Sequence, residues 1–534
     1  MNNSANSDAD RPDANRSDAN RPEDTRSDSM EKVREFLFEN KVVLLFLAIT
    51  LLAYHISGMS YAVFFSDLFT RFGRNTFLVL SLLIPVVAGL GLNFGIVLGA
   101  MAAQIAIFLV VLWGGSGLWG LLAIATLATP IAILFGFLVG RLFNSMKGAE
   151  MIGGMVTGFF ADGFYQFFFL FVMGGIIPIA NERVMTGTGV GVLNAINLGD
   201  SPVYMRQALD NVPMLHILDV ALWGYLAFFI GIVIFRLAKK QPVNLLKRKK
   251  QNGLLRNLLI FASLVLVYGL SFVIDPLFVF LSQNRLSGLI AVDLVLVLMG
   301  AVVVYRFVKE KFIIKKPGIP KKPIIQLVLV IGLLLLTWHP EIYGGLTQVR
   351  IPVLTYLIIV GTCFMINWFL KTRLGQNMRT IGHNRAVATA AGINVDRTRI
   401  IAMILSTLLA AYGQIISLQN FGIMNTYGAH GQVGMYAIAA LLVGGATVSR
   451  ASVKNALMGV LLFHALFILA PMAGTQLMGD SLIGEYFRVV VANAVIALAL
   501  IMHAWQRVKT KKTEEEPQEP DSPATGPKLQ DATV

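Results

Sequence analysis

The chain alternates between long apolar runs and shorter polar intervals, and this rhythm sets its architecture. The runs Val42–Ser57, Asn75–Leu92, Gly95–Trp113, Leu118–Phe143 and Met151–Pro178 come first. After a polar stretch at 179–216 come Ile217–Leu237, Leu258–Phe280, Leu286–Val308, Ile324–Trp338 and Ile351–Leu370. Ile400–Gln419, two runs within Gly434–Ala470, and Tyr486–Ala504 complete the set. Several reach the ~20 residues that a helix needs to cross a hydrocarbon core. They are continuous rather than alternating, which excludes membrane strands. The pattern predicts an all-α fold, a polytopic transmembrane helical bundle of about fourteen spans. Between the second and third runs stands GLGLNFG. A glycine-broken joint with a polar centre predicts discontinuous helices there.

The polar intervals orient the bundle. Lys239–Arg256, Lys309–Lys322 and Lys371–Arg399 are rich in Lys and Arg, and Arg141 and Lys147 flank the turn after the fourth run. Basic loops stay on the cytoplasmic side, so these intervals and both termini are expected inside. The stretch 179–216 has few basic residues and is expected outside, where a substrate-delivery protein could meet it. Arg71 and Arg74 fall on the outer side under this parity and are assigned to an interfacial helix. Residues 1–30 and 511–534 are polar and low in complexity, and are expected to be disordered tails.

Composition narrows the class further. Of the 534 residues 56% are hydrophobic and only 14% charged, and the mean hydropathy is +0.68. The net charge of +14 would suit nucleic acid, but the basic residues collect in the loops between spans, so no nucleic-acid partner is expected. A single cysteine, Cys363, rules out an internal disulfide and a cysteine-cluster metal site. No cofactor or metal is expected. No G-x-x-x-x-G-K-[ST] loop occurs, and no nucleophile–base pair stands out. The chain is therefore not expected to be an enzyme, and ATP-driven work would have to enter through a separate ATPase.

The interval 371–400, KTRLGQNMRTIGHNRAVATAAGINVDRTRI, is the longest basic interruption among the apolar runs. Inside it, Asn384 is a suitable N-cap, Arg385–Ala391 is alanine-rich, and Gly392 suits the left-handed position that ends a helix. A helix this short is marginal alone and must dock on something. A small alanine face suits a groove on a partner. The plainer reading is a well-capped surface turn between two spans.

GHNRAVATAAGIN resembles the cytoplasmic coupling segment of the permease family of binding-protein-dependent ABC importers for simple sugars, nucleosides and branched-chain amino acids. The matching positions are Gly382, Asn384, Ala388, Gly392, Ile393 and Asn394, and Val387 stands where the family usually has alanine. AIAALLVGG is similar to a second family motif at Ala437, Ile438, Ala439, Ala440, Gly444 and Gly445, while Gly91, Asn93, Gly95 and Gly99 match a third loosely. The resemblance covers residues 75–180 and 345–505. It implies an N-terminal permease half at 42–216, an inserted group of about four spans at 217–345, and a C-terminal half at 346–505 carrying the coupling loop 371–399. It further implies a multi-pass subunit of the bacterial cytoplasmic membrane that forms the path for a small polar solute, a sugar or nucleoside ahead of an amino acid. The partners implied are an ABC ATPase subunit contacting Gly382, Asn384, Arg385, Ala388, Gly392 and Ile393, a substrate-binding protein, and a second permease subunit, identical or related. The rival reading is a secondary transporter driven by an ion gradient through intramembrane acids such as Asp162 and Asp293.

Candidate path residues are polar groups inside apolar runs. Asp162, Tyr165 and Gln166 stand at i, i+3 and i+4 and share one helix face. Asn93, Gln104 and Gln414 are further candidates, with Gln419 and Asn420 behind them. For all of them the alternative is interhelical hydrogen bonding, common in bundles. Asp293 is a notable intramembrane charge in the inserted hairpin, with a helix-paired structural acid as its plain reading. His464 and His503 lack a second partner at metal-ligand spacing and are read as structural.

Overall fold

A computed structural model describes residues 40–210 apart from 188, residues 285–308, 310 and 321–491, and isolated positions between 222 and 230, at 265 and between 493 and 501. The tails 1–30 and 511–534, the interval Lys239–Arg256, and most of Ile217–Leu237, Leu258–Phe280 and Lys309–Lys322 lie outside the described residues.

The first half contains α1 (Lys41–Ser57), α2 (Tyr61–Ser81), α3 (Leu83–Val87), α4 (Ile96–Leu112), α5 (Gly117–Ser145) and α6 (Glu150–Gly175), which widens to a π-helical turn at Phe168–Val172. β1 (Ala195–Asn197) lies in the loop that follows. Then come β2 (Arg285–Ser287), α7 (Gly288–Val308), α8 (Lys321–Thr337), α9 (Pro340–Gln348), β3 (Arg350–Pro352) and α10 (Val353–Phe369). The last part holds α11 (Arg373–His383), α12 (Arg385–Ala390), α13 (Val395–Phe421), β4 (Ile423–Asn425), α14 (Gly431–Val443) and α15 (Val453–Met478). Five of the described helices are long and apolar enough to cross a membrane, or up to seven if each bent pair is one span.

Two expectations about local structure change. The expected second run begins at Asn75, but the helix starts at Tyr61 and carries Arg71 and Arg74 within its length. These arginines face the bundle rather than lying in a separate interfacial helix, and Arg74 is buried. Their aliphatic stems and an aromatic neighbour give them surroundings that the parity argument could not foresee. Strands also occur, as two three-residue antiparallel ladders, β1 with β4 and β2 with β3. Such short ladders close loops against helix ends and leave the helical bundle unchanged.

α13 is the central helix, packed against α2, α4 and α5. It begins where the Asn394 side chain accepts from the Arg397 amide and ends at Gly422, whose φ of 76° takes the left-handed position. Its 27 residues span about 40 Å. Small residues let its neighbours approach backbone to backbone. A Cβ on Gly136 of α5 would lie 2.6 Å from Ile404 Cα, and one on Gly99 of α4 would lie 2.5 Å from the Thr407 carbonyl oxygen. α14 has 13 residues and spans about 20 Å, less than the ~30 Å hydrocarbon thickness, before turning at 444–452 into α15. The expected break at GLGLNFG is present: α3 ends at Val87, residues 88–95 are non-helical, and α4 starts at Ile96.

At the far end of α13 the loop after α6 folds over the helix terminus. Besides the β1–β4 ladder, the Leu198 amide donates to the Gly422 carbonyl at 2.8 Å and the Gln207 amide to the Gln419 carbonyl at 2.8 Å. Between α7 and α8, Asp293 accepts from the Thr337 hydroxyl at 3.1 Å. That contact agrees with the structural reading of Asp293.

Candidate functional site

One carboxylate organises the end of the bundle where the 371–400 segment lies. Glu150, the first residue of α6, accepts through Oε1 from Nη2 of Arg385 and from Nη2 of Arg399, each at 2.5 Å. Arg399 is fully buried in the first turns of α13, and its Nε and Nη1 have no hydrogen-bond partner among the described residues. Arg385 also donates to the Gly89 carbonyl at 3.2 Å. The short helix α12 is therefore tied at once to α6, to α13 and to the broken joint after α3. Gly89 and Gly382 make that docking possible: a Cβ on Gly382 would lie 2.2 Å from the Val87 carbonyl oxygen. Nearby, the Asn144 side chain donates to the Asp396 carbonyl at 2.9 Å, and Lys147 lies 3.6 Å from the Asp396 carboxylate. The basic turn 144–150 and the coupling-like segment thus share one end of the bundle.

The capping expected for α12 is present. Asn384 Oδ1 accepts from the amides of Ala386 at 2.9 Å and Val387 at 3.2 Å. Gly392 takes a φ of 76°, and the Ile393 amide returns to the Ala388 carbonyl at 3.0 Å. The face assignment needs correction. Ala388 was expected to face a partner's groove, but it is 0% exposed and packs inside this chain. The outward face is Ala386, Val387, Thr389 and Ala390, with Val387 57% exposed. Burial of Ala388 follows from the pull of Arg385 toward Glu150, which turns the helix and sets position 388 inward.

α6 and α13 both run from this ion-pair cluster toward a polar chain. Gln166 Nε2 donates to Asp162 Oδ2 at 3.1 Å, and Asp162 Oδ1 lies 2.6 Å from His430 Nε2. His430 Nδ1 lies 2.6 Å from Gln104 Oε1, and Gln104 Nε2 donates to the Asn425 carbonyl at 3.1 Å. The Tyr165 ring packs 4.8 Å from His430. Asp162, Tyr165, Gln166 and Gln104 are thus brought together through His430, which the sequence reading missed. Asp162 keeps 34% of its side chain exposed, on a helix whose neighbouring Phe159, Phe160 and Phe164 are also exposed. Asn93 and Gln414 stand apart. Asn93 is buried and donates to Ser406 Oγ at 3.2 Å, while Gln414 donates to the Ala429 carbonyl at 3.3 Å.

Gln414 lines a cavity of about 550 Å³ between α2, the last turns of α13, α14 and α15. Its wall also carries Arg71, Arg74, His464, Arg488 and Asn425. Asn425 joins the cavity to the polar chain, since its carbonyl receives Gln104. His464, read from the sequence as structural, is buried and forms part of this wall.

The model of the family described as branched-chain amino acid transport system / permease component matches residues 167–502. Among curated proteins, the probable ABC transporter permease protein YphD of Escherichia coli (strain K12) is 33% identical over 153 residues, 28% of this chain and 43% of that protein. The ribose import permease protein RbsC of Escherichia coli (strain K12) is 32% identical over 146 residues, 27% of this chain and 43% of that protein. The xylose transport system permease protein XylH of the same strain is 28% identical over 188 residues, 35% of this chain and 42% of that protein. The chain spans about two fifths of the length of these curated relatives. No solved structure matches the chain.

Proposed function

Because the chain belongs to the branched-chain amino acid transport system permease component family, we propose that it is the membrane subunit of an ABC importer whose solute is a sugar or nucleoside. The observation that carries the reading is the double grip of Glu150 on Arg385 and Arg399. A push on α12 cannot remain local, because the same carboxylate begins α6 and clamps α13. Both helices lead to the polar chain around His430 and to the cavity. An ATPase seated on the exposed Val387 face would move these helices together, as rigid packed elements do in shear transitions. In this reading the 371–399 loop and both termini are cytoplasmic, the loop at 179–210 receives a substrate-binding protein, and a second permease subunit, identical or related, completes the path. The names of the relatives support the solute class: one is a ribose import permease and another a xylose transport system permease.

The coupling reading is tested at the outward face of α12. Val387→Asp and Ala390→Trp change exposed positions, so both variants should reach the membrane with unchanged thermal stability. Each should reduce co-purification of the ATPase by at least tenfold and abolish solute-stimulated ATP hydrolysis. Thr389→Cys in a Cys363→Ala background should react with an impermeant thiol reagent in inverted vesicles alone. Uptake by the purified chain with an ion gradient and no ATPase would overturn the importer reading in favour of secondary transport.

Asp162 gives a second test. A carboxylate facing lipid is costly, yet Asp162 is one-third exposed while bonded to His430 and Gln166. Its exposed side belongs in this reading to the polar path, between permease subunits. Asp162→Leu is expected to reduce uptake at least tenfold while leaving ATPase association intact. Normal uptake by that variant would return the cluster to a purely structural role.

A further inference from the structure

The cavity at the far end of α13 has an unbalanced charge. Three arginines line it. Arg71 pairs with Asp67 one helical turn earlier, at 3.0 Å, and Arg488 in the helical segment 481–491 pairs with Glu485. Arg74 has no such pair among the described residues. It is 9% exposed, its Cζ stands 3.7 Å over the Phe421 ring, and its Nε has no hydrogen-bond partner among the described residues. A buried guanidinium in an apolar bundle is costly unless an opposite charge meets it. The ring of Phe421 offsets part of that cost through its π face but leaves Nε unmet.

The rest of the wall suits a hydroxylated solute. Gln414 is 1% exposed and its Oε1 has no partner among the described residues, so an unmet acceptor lines the same cavity as the cation. Phe467 lies between Arg71 and Arg488, with the guanidinium carbons 5.4 and 5.2 Å from its centroid. Aromatic and amide groups of this kind hold polar small molecules by their faces and hydroxyls. At about 550 Å³ the cavity lies within the range of small-molecule sites.

We infer that this cavity binds a small hydroxylated solute carrying an anionic group, a carboxylate or a phosphate, with Arg74 meeting the anion and Gln414 a hydroxyl. The inference rests on the permease reading above and narrows its solute from a neutral sugar to an acidic or phosphorylated one. Planar, bidentate recognition of either anion is what an arginine does best. Arg71 and Arg488, each already paired, add to the field without supplying the free charge.

The test uses the purified full-length chain in phosphatidylcholine nanodiscs, with thermal stability as the readout. Ribose, ribonate and ribose 5-phosphate are titrated separately. At least one of the two anions is expected to reach half-effect at a concentration at least tenfold below that of ribose. Arg74→Gln should reduce that margin to less than twofold. If Arg74→Gln does not accumulate, Arg488→Gln carries the test, with a margin at least halved as the expected result. Equal effects of ribose and the anions, no effect of either anion, or a margin untouched by the arginine change would overturn the inference. So would stabilisation, dependent on Arg74, by phosphatidylglycerol and not by either soluble anion, which would assign the cation to a lipid headgroup. Since binding is read on the chain alone, failure here leaves the ATPase co-purification result standing, and the reverse holds too.

Discussion

Glu150→Ala should lower the thermal stability of the purified chain sharply and reduce uptake by the assembled transporter at least tenfold. The physical reason is the position of Arg399. Its side chain is fully buried and its charge is met by the Glu150 carboxylate. Removing one partner of a buried pair costs about 3–5 kcal/mol, because the remaining charge is left unmet. The Arg385 pair adds little to that figure, since its side chain is about one-third exposed and solvent screens it. Its loss matters for transmission instead, because α12 would be released from α6 and α13. Glu150→Asp shortens the reach and should retain one arginine at most, giving an intermediate loss. Glu150→Leu combined with Arg399→Met should recover much of the stability and none of the transport, since an apolar replacement of a buried pair is often tolerated. Thermal unfolding in detergent and vesicle uptake measure the two effects separately. A Glu150→Ala protein with parental stability and parental uptake would show that the carboxylate holds neither arginine.

Gly459→Val should prevent the chain from accumulating as a folded protein. α14 and α15 cross with their backbones in contact at Gly444 and Gly459. A Cβ on Gly459 would lie 1.9 Å from the Ala440 carbonyl oxygen, and one on Gly444 would lie 1.9 Å from the Asn455 carbonyl oxygen. The Asn455 side chain seals the crossing by donating to the Gly444 carbonyl at 2.7 Å. Overpacking a core typically costs about 1–3 kcal/mol, and here the neighbours are main-chain atoms that cannot change rotamer. Gly459→Ala should already lower the thermal midpoint, and valine should remove the monodisperse peak on size-exclusion chromatography. Met458→Ala, at a partly exposed neighbouring position, should change neither. A monodisperse Gly459→Val protein with parental midpoint would mean that the helices do not cross at this pair.

Both results depend on features of unequal legibility. Local signals in residue type and spacing carried the described apolar helices, the break at GLGLNFG, and the ends of α12 at Asn384 and Gly392. The Gly444–Gly459 crossing was half visible, since the motif at Gly444 resembles a family pattern while its partner lies fifteen positions on. The ion-pair cluster was not legible. Glu150 lies 235 residues from Arg385 and 249 from Arg399, and no periodicity reports such a pairing. His430 was missed for the same reason, standing in a loop-like stretch and meeting Asp162 only in the fold. Arg74 was misplaced because a charge beside an apolar run reads as a span boundary, whereas the fold gives it a ring and a cavity. Ala388 reads as an outward small face until the direction of Arg385 is known.

The glycine contacts around α13 bear on how such a chain can diverge. With Gly136 and Gly99 holding neighbouring backbones against it, the axis of the central helix is fixed by atoms that no side-chain exchange alters. Gln414 hangs its side chain into the cavity from that fixed helix, and Arg74 does so from α2, which Gly413 holds close to it. If the cavity is the solute site proposed above, a descendant gene that swapped a cation for a neutral or acidic group there would change its solute without first re-solving the packing of the bundle. Change would be confined to a few codons at the cavity wall, while the glycine codons along the seam stayed under constant purifying pressure.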